Sequence, residues 1–301
     1  MPKHACRATL ALPTKGRGGY SGAMRVARTI GELTRARAAL VSGGRPLALV
    51  PTMGALHAGH LSLIAAAKRR DAAVAASIFV NPLQFGPAED FARYPRDEAA
   101  DLAALREAGC ELAWLPSGST MYPPPAASVI EVAGPALLWE GTARPGHFRG
   151  VATVVAKLFG QIRPQLACFG EKDWQQLQVV RRMVHDLYLG IEIVAVPTVR
   201  AADGLALSSR NQALAPADRA LAPRLYTALA ALAASLADGQ PAAERTEAAA
   251  AALAEAGFRP DYVALVDAET LEPLPAARPP ARLIAAAWLG QVRLIDNVAV
   301  C

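Results

Sequence analysis

The sequence predicts an α/β protein, with a doubly wound parallel sheet followed by a smaller α+β unit. Three observations lead there. Short, wholly apolar strand segments alternate with helical segments along the first two thirds of the chain, the pattern of a parallel sheet buried on both faces. A turn rich in glycine and histidine joins one of these strands to a helix. After Pro197 the pattern gives way to alanine-rich helices and then strands.

The elements are justified in chain order. Residues 1–23 have neither helical nor strand period and are expected to be a dispensable extension. Thr29–Val41 reads as a helix stopped by Ser42-Gly43-Gly44, and Leu47–Val50 as a buried strand. The turn Pro51-Thr52-Met53-Gly54 leads into a helix from about Gly59 to Arg70, and Val74–Val80 is the next strand, which completes a βαβ unit. Residues 122–149 are rich in Pro and Gly and are expected to form a mobile loop over a site. Val151, Val154, Val155, Leu158, Phe159 and Ile162 fall on one helix face, ended by Pro164. Leu166–Phe169 is a strand, Asp173–Leu189 a helix with Asp173 as N-cap, and Ile191–Val196 a strand. These units predict a Rossmann-like body over residues 24–198. Over 199–301 the sequence predicts helices near Pro216–Ala237 and Ala242–Ala256. The strands there are Tyr262–Val266, Leu283–Trp288 and Val292–Asn297, the last two joined by a Gly290-Gln291 turn.

Composition narrows the function. The chain has 301 residues, 53% of them hydrophobic, enough for substantial cores. No apolar run approaches the roughly 18 residues that span a bilayer, so no membrane partner is expected. The net charge is +5, but the basic residues are dispersed and form no block interleaved with aromatics, which argues against nucleic acid. Cys6, Cys110, Cys168 and Cys301 are widely spaced, without metal-ligand spacing; the expected setting is the reducing cytoplasm.

The segment Pro51-Thr52-Met53-Gly54-Ala55-Leu56-His57-Ala58-Gly59-His60 carries the sharpest chemistry. It follows a strand and opens a helix, where ligands of open α/β sheets bind and free amides meet phosphate. His57 and His60 are two of only five histidines, and imidazoles there would donate to the oxygens of a pentacoordinate phosphate. Read blandly, one caps the helix and the other fills core. Gln84 and Gln176 follow separate strand ends, with carboxamides suited to a substrate bearing hydroxyls and a carboxylate. Lys172 offers phosphate a point charge and Asp173 offers ribose hydroxyls an acceptor; an ion pair at a helix start is the plainer reading. Leu207-Ser208-Ser209-Arg210 would close hydroxyls and a guanidinium over a triphosphate, although alone it is only a turn. No Ser/His/Asp or Cys/His arrangement suggests a covalent nucleophile.

The H-x-G-H segment resembles that of nucleotidylyltransferases, and the string PTMGALHAGH resembles the pantoate–β-alanine ligase family. The likeness continues in order through Phe79–Phe85, Arg93–Arg96, Arg144–Val151, Phe169–Leu177, Ala202–Asn211 and Leu294–Asn297. It implies a two-step ligase that adenylates pantoate with ATP and transfers the acyl group to β-alanine. By the same resemblance Met53–His60, Gly170, Glu171, Lys172, Asp173, Val199 and Leu207–Arg210 bind ATP. His57, His60, Lys172, Ser208 and Arg210 act in catalysis, Gln84 and Gln176 hold pantoate, and Gln84 borders β-alanine. It further implies Mg²⁺ held by Asp101, a homodimer, and a substrate-side loop carrying Arg144 and His147. The sequence departs from the family at Ala58 and Ala100, where acidic residues are usual, and at Trp174, where tyrosine is. Two rivals stand beside this reading: another adenylyltransferase of the same fold, and a nucleotide-binding protein without catalysis.

Overall fold

A computed structural model describes residues 23–86, 91–236 and 241–300; the predicted extension up to residue 22 lies outside them. The elements run β1 (Arg25–Ala27), α1 (Ile30–Val41), β2 (Leu47–Thr52), α2 (Ala58–Lys68), β3 (Ala73–Ile78), α3 (Glu98–Glu107), β4 (Leu112–Trp114), α4 (Gly118–Met121), α5 (Glu140–Ala143), α6 (His147–Ile162), β5 (Leu166–Gly170), α7 (Trp174–Asp186) and β6 (Glu192–Val196). They continue with α8 (Pro216–Leu221), α9 (Arg224–Leu236), α10 (Ala242–Glu255), β7 (Arg259–Asp267), β8 (Ala281–Leu289) and β9 (Val292–Val300).

The first six strands form one sheet in the order β1-β4-β3-β2-β5-β6, every pair parallel. Leu47, Ala48, Leu49 and Val50 of β2 are wholly buried because helices cover both faces of the sheet. The order reverses between β2 and β5. Their carboxyl ends therefore diverge into a crevice, the place where open α/β sheets take ligands.

β7, β8 and β9 form a separate antiparallel sheet. Leu225, Leu229, Leu232 and Leu236 of α9 pack on it with Leu253 and Leu283 in a second core. The Gly290-Gln291 hairpin is present, with Gly290 at φ +56 and Leu289 paired to Val292.

Three expectations are corrected. The predicted helix from Pro216 is two helices, α8 and α9, divided at Ala222-Pro223; proline supplies no amide to continue the ladder. Asp173 stands at the start of α7 but its side chain makes no cap bond. The segment 122–149 is tied down around Glu140, which is 7% exposed. Arg293 donates to both Glu140 oxygens at 2.7 Å, and the Tyr262 hydroxyl donates to one at 2.8 Å.

Candidate active site

The β2–α2 turn is built by three local devices. Gly54 adopts φ +82, and a Cβ there would stand 2.6 Å from Asp101 Oδ2. Ala55 follows at φ +50, a left-handed conformation that costs a residue with a Cβ about 1–2 kcal/mol. Asp101, from α3, holds it: the amides of Ala55 and Leu56 donate to its two carboxylate oxygens at 3.0 and 2.8 Å. Then His57 caps α2, its Nδ1 accepting from the Gly59 amide at 3.1 Å while His60 Nδ1 accepts from the His57 amide at 3.3 Å. This reciprocal arrangement is a capping box made of two imidazoles.

The capping bonds decide the tautomers. A neutral imidazole has one N–H and one lone pair. With Nδ1 accepting on both rings, Nε2 carries the proton on both. Desolvation pushes His60 down to about 3, with help from the neighbouring His57; desolvation and Lys172 also lower His57. The rings lie 4.1 Å apart between centroids and are neutral hydrogen-bond donors at physiological pH. The capping and ligand-facing readings of the pair are thus compatible.

Both rings line a cavity of about 220 Å³ in the crevice. Of the residues singled out from the sequence, Met53, His57, Gly59, His60, Gln84, Gly170, Lys172, Asp173, Gln176, Val199 and Leu207–Arg210 stand on its wall. Gly54, Ala55, Leu56 and Ala58 do not; the amides of Ala55 and Leu56 donate to Asp101 and that of Gly54 to the Thr52 hydroxyl. Glu171 points away to Arg282 on β8, which donates to it at 2.9 Å.

Asp101 is buried and its two oxygens face amides. Among the described residues no cluster of three or more His, Cys, Asp and Glu side chains could hold a metal ion. A cation held at Asp101 would therefore draw its remaining ligands from water and phosphate oxygens.

Opposite the histidines, Lys172 Nζ lies 3.7 Å from Asp173 Oδ1. Desolvation opposes ionisation of Asp173, but the charges of Lys172 and Arg210 outweigh it and hold the carboxyl below its usual range. Gln84 Nε2 donates to Met53 Sδ at 3.0 Å, and its Oε1 accepts from Asn81 at 3.1 Å. Tyr122 in turn donates to Asn81 at 2.8 Å. Gly150 lets α6 approach this corner, since a Cβ would meet Leu83 O at 2.2 Å. Burial pushes the Cys168 thiol on the same wall up to about 11, so it offers no thiolate.

Sequence reasoning placed Arg144 and His147 on a substrate-side loop without separating their roles, and both stand on the cavity wall; it left Gln175 unassigned. His147 Nδ1 donates to the Gln84 carbonyl at 2.8 Å, and its Nε2 is 3.0 Å from Arg144; the pair holds the backbone that carries Gln84. Gln175, beside the predicted Gln176, is buried, donates to Pro135 and Leu138 carbonyls and accepts from the Glu140 amide. Adjacent glutamines at a helix start, one facing inward and one toward the cavity, were the signal available.

Comparison with known proteins bears directly on this geometry. Residues 25–299 match the family model described as pantoate-beta-alanine ligase. The chain belongs to the pantoate–β-alanine ligase family. It is similar to the pantothenate synthetase of Acidiphilium cryptum, 62% identical over 92% of this chain and 100% of the relative. Among solved structures, the pantothenate synthetase of Thermus thermophilus aligns with a TM-score of 0.87 at 52% identity, covering 92% of this chain and 99% of that one. The Francisella tularensis pantoate-beta-alanine ligase, solved in complex with beta-gamma ATP and beta-alanine, aligns at 0.78 and 33% identity, covering 92% and 98%. Both solved structures align with this chain over nearly their whole length.

Proposed function

We propose that the cleft condenses (R)-pantoate with β-alanine, using ATP, by way of a pantoyl adenylate. In the first step a pantoate carboxylate oxygen attacks the α-phosphorus, an O–P bond forms and pyrophosphate leaves. In the second the β-alanine ammonium gives up a proton, the free amine attacks the acyl carbon, and the nitrogen releases a second proton as AMP leaves and the amide forms. The observation that carries this reading is the convergence on one cavity of two neutral imidazole donors, Lys172, Ser208, Ser209 and Arg210 with the carboxamides of Gln84 and Gln176.

The donors divide the work. His57 and His60 are fixed as Nε2–H donors before substrate arrives, so they stabilise charge on the α-phosphate without reorganising. Lys172 and Arg210 neutralise the rest of the triphosphate, Asp173 accepts from the ribose, and the backbone at Val199 meets adenine. Gln84 and Gln176 hold pantoate and Gln84 borders β-alanine. Adenylation makes the carboxylate an acyl donor, so no protein nucleophile is required. Magnesium enters as the counter-ion of ATP rather than as a resident metal; Asp101 holds the turn instead.

We further propose that the two bodies divide near residue 199 and that the protein works as a cytoplasmic homodimer. The exposed Leu187-Tyr188-Leu189 stretch just before the sheet's edge strand β6 supports two-fold association; light scattering tests it, and a stable monomer would refute it. The decisive experiment measures pyrophosphate release from ATP with pantoate alone, then product mass after β-alanine is added. Release only with a phosphorylated acceptor would identify another adenylyltransferase, and none at all a binding protein.

A further inference from the structure

Asp296 and Asn297, in the middle of β9, are buried polar residues on the wall of a small second cavity of about 50 Å³ and do not line the main one. Their bonds reach both segments that face the phosphate end of the cleft. Asn297 Nδ2 donates to the carbonyls of Glu171 and Lys172, each at 2.9 Å. Both amide hydrogens are thereby used, and only the nitrogen end of the carboxamide can face two carbonyls. The 3-10 turn Glu171–Asp173 that presents Lys172 thus hangs on a strand of the other sheet.

Asp296 reaches the second segment. Its Oδ1 and Oδ2 accept from Arg200 at 2.8 and 2.6 Å, a bidentate pair of fixed geometry. Arg200 also lies 3.7 Å over the Tyr226 ring and donates to the Gly204 carbonyl at 3.2 Å. It is the base of a tight loop closed by Ala201–Leu205 and Leu207–Val199 backbone bonds, and that loop runs directly into Ser208. The Asn297 amide donates to Asp296 Oδ1 at 2.8 Å, so the two residues are tied to each other.

We propose that Asp296 and Asn297 are positioning residues: through one pair on β9 they set the spacing between Lys172 and the Ser208–Arg210 segment. The inference rests on the assignment of those two segments to the triphosphate under the proposed function. Neither residue needs to touch substrate. A cation and a segment that closes over the triphosphate meet one transition state only if the spacing of their bases is set beforehand, and a shift of about 1 Å costs such a site on the order of a hundredfold.

The test compares Asp296→Asn, Asn297→Ala and Leu294→Val. Leu294 is buried in the same sheet's core and bonds to neither segment. Amide hydrogen exchange in the full chain is read together with steady-state kinetics of pyrophosphate release. Asp296→Asn should speed exchange at least tenfold in residues 171–174 and 200–207 together. It should also lower kcat tenfold or more, with the pantoate KM within twofold. Asn297→Ala should free residues 171–174 alone, with a similar loss of kcat, and keeps the test available if Asp296→Asn does not fold. Leu294→Val should lower Tm without selective exchange in either segment and with kcat within twofold. Unchanged exchange at 171–174 in both Asp296→Asn and Asn297→Ala would overturn the proposal, and so would a kcat loss that Leu294→Val reproduces. If the unaltered protein releases no pyrophosphate with pantoate, the functional reading falls, and the exchange data still decide the anchor.

Discussion

The two walls of the cleft are built to different standards. On one, the turn bearing His57 and His60 is closed by a reciprocal cap and by both oxygens of Asp101. On the other, Ser208 starts a five-residue 3-10 helix, its hydroxyl accepting from the Arg210 amide at 3.3 Å and its carbonyl from the Asn211 amide at 3.0 Å, and Arg210 is exposed. The first wall is fixed before substrate arrives; the second is anchored at its base by Arg200 and open at its tip. A fixed wall suits donors that must aim at charge appearing only in the transition state, and an open one suits a segment that admits a triphosphate and closes over it.

The largest effect should come from the fixed wall. His60→Ala removes a preset donor and should lower kcat for adenylation by about 10² or more, with ATP affinity less affected. Burst measurement of pantoyl adenylate reads this directly. Formation of the adenylate at the normal rate, with a stall only at β-alanine attack, would place His60 in the other half-reaction.

Asp101→Asn comes next. An asparagine accepts from one amide but turns its own NH₂ toward the other, leaving a buried donor unpaired at a cost of about 1–3 kcal/mol. Stability and kcat should fall together while the dependence on Mg²⁺ concentration keeps its midpoint. A shifted magnesium midpoint would make Asp101 a metal ligand after all. Gln84→Ala should act on ground-state binding, raising the pantoate KM by about tenfold with kcat nearly kept, the signature of lost uniform binding. A fall in kcat at unchanged KM would contradict that role.

What the sequence revealed and what it hid divide along the same lines. The β2–α2 turn, Lys172, Gln84 and Gln176 were legible because strand end, glycine, histidine and helix start are neighbours in the chain. Asp101's engagement with Ala55 and Leu56 was not, since it joins residues 46 and 45 positions apart. Glu171 meets Arg282 across 111 positions, and no periodicity announces such a pair. The break between α8 and α9 was readable at Pro223, where a run of helix-forming alanines concealed the one residue that cannot continue the ladder. The sheet itself was legible because burial on both faces forces each strand to be uniformly apolar.

The neutral histidines also set a pH dependence. His60's folded pKa of about 3 lies below the ordinary 6.5, so the unfolded chain takes up the proton first. The resulting stabilisation is complete above pH 6.5 and is lost as pH falls from there toward 3. Thermal melts between pH 7 and pH 4 should show Tm falling in the unaltered protein and falling less in His60→Gln. Parallel curves would mean that the imidazole is protonated in the folded state and that its tautomer is not fixed by the cap.

The smallest effect should come from the open wall. The Tyr94 hydroxyl approaches Ser209 Oγ at 3.5 Å, well beyond the roughly 2.7–2.8 Å at which hydroxyls usually bond. Desolvation raises the pKa of the Tyr94 phenol, so it stays neutral and brings no charge to the contact. Tyr94→Phe therefore removes a weak neutral interaction while keeping the ring that packs on Phe85. Stability should change by no more than a surface substitution changes it, within about 0.5 kcal/mol, and kcat should stay within twofold. Steady-state kinetics with ATP as the varied substrate makes the comparison sharpest. If the segment is open at rest and closes on the triphosphate, ATP supplies the contacts that order it, and one long hydrogen bond is dispensable. A tenfold loss of kcat from so slight a change would show that Tyr94 holds the Ser209 segment in its working position beforehand, and the two walls would then be equally preset.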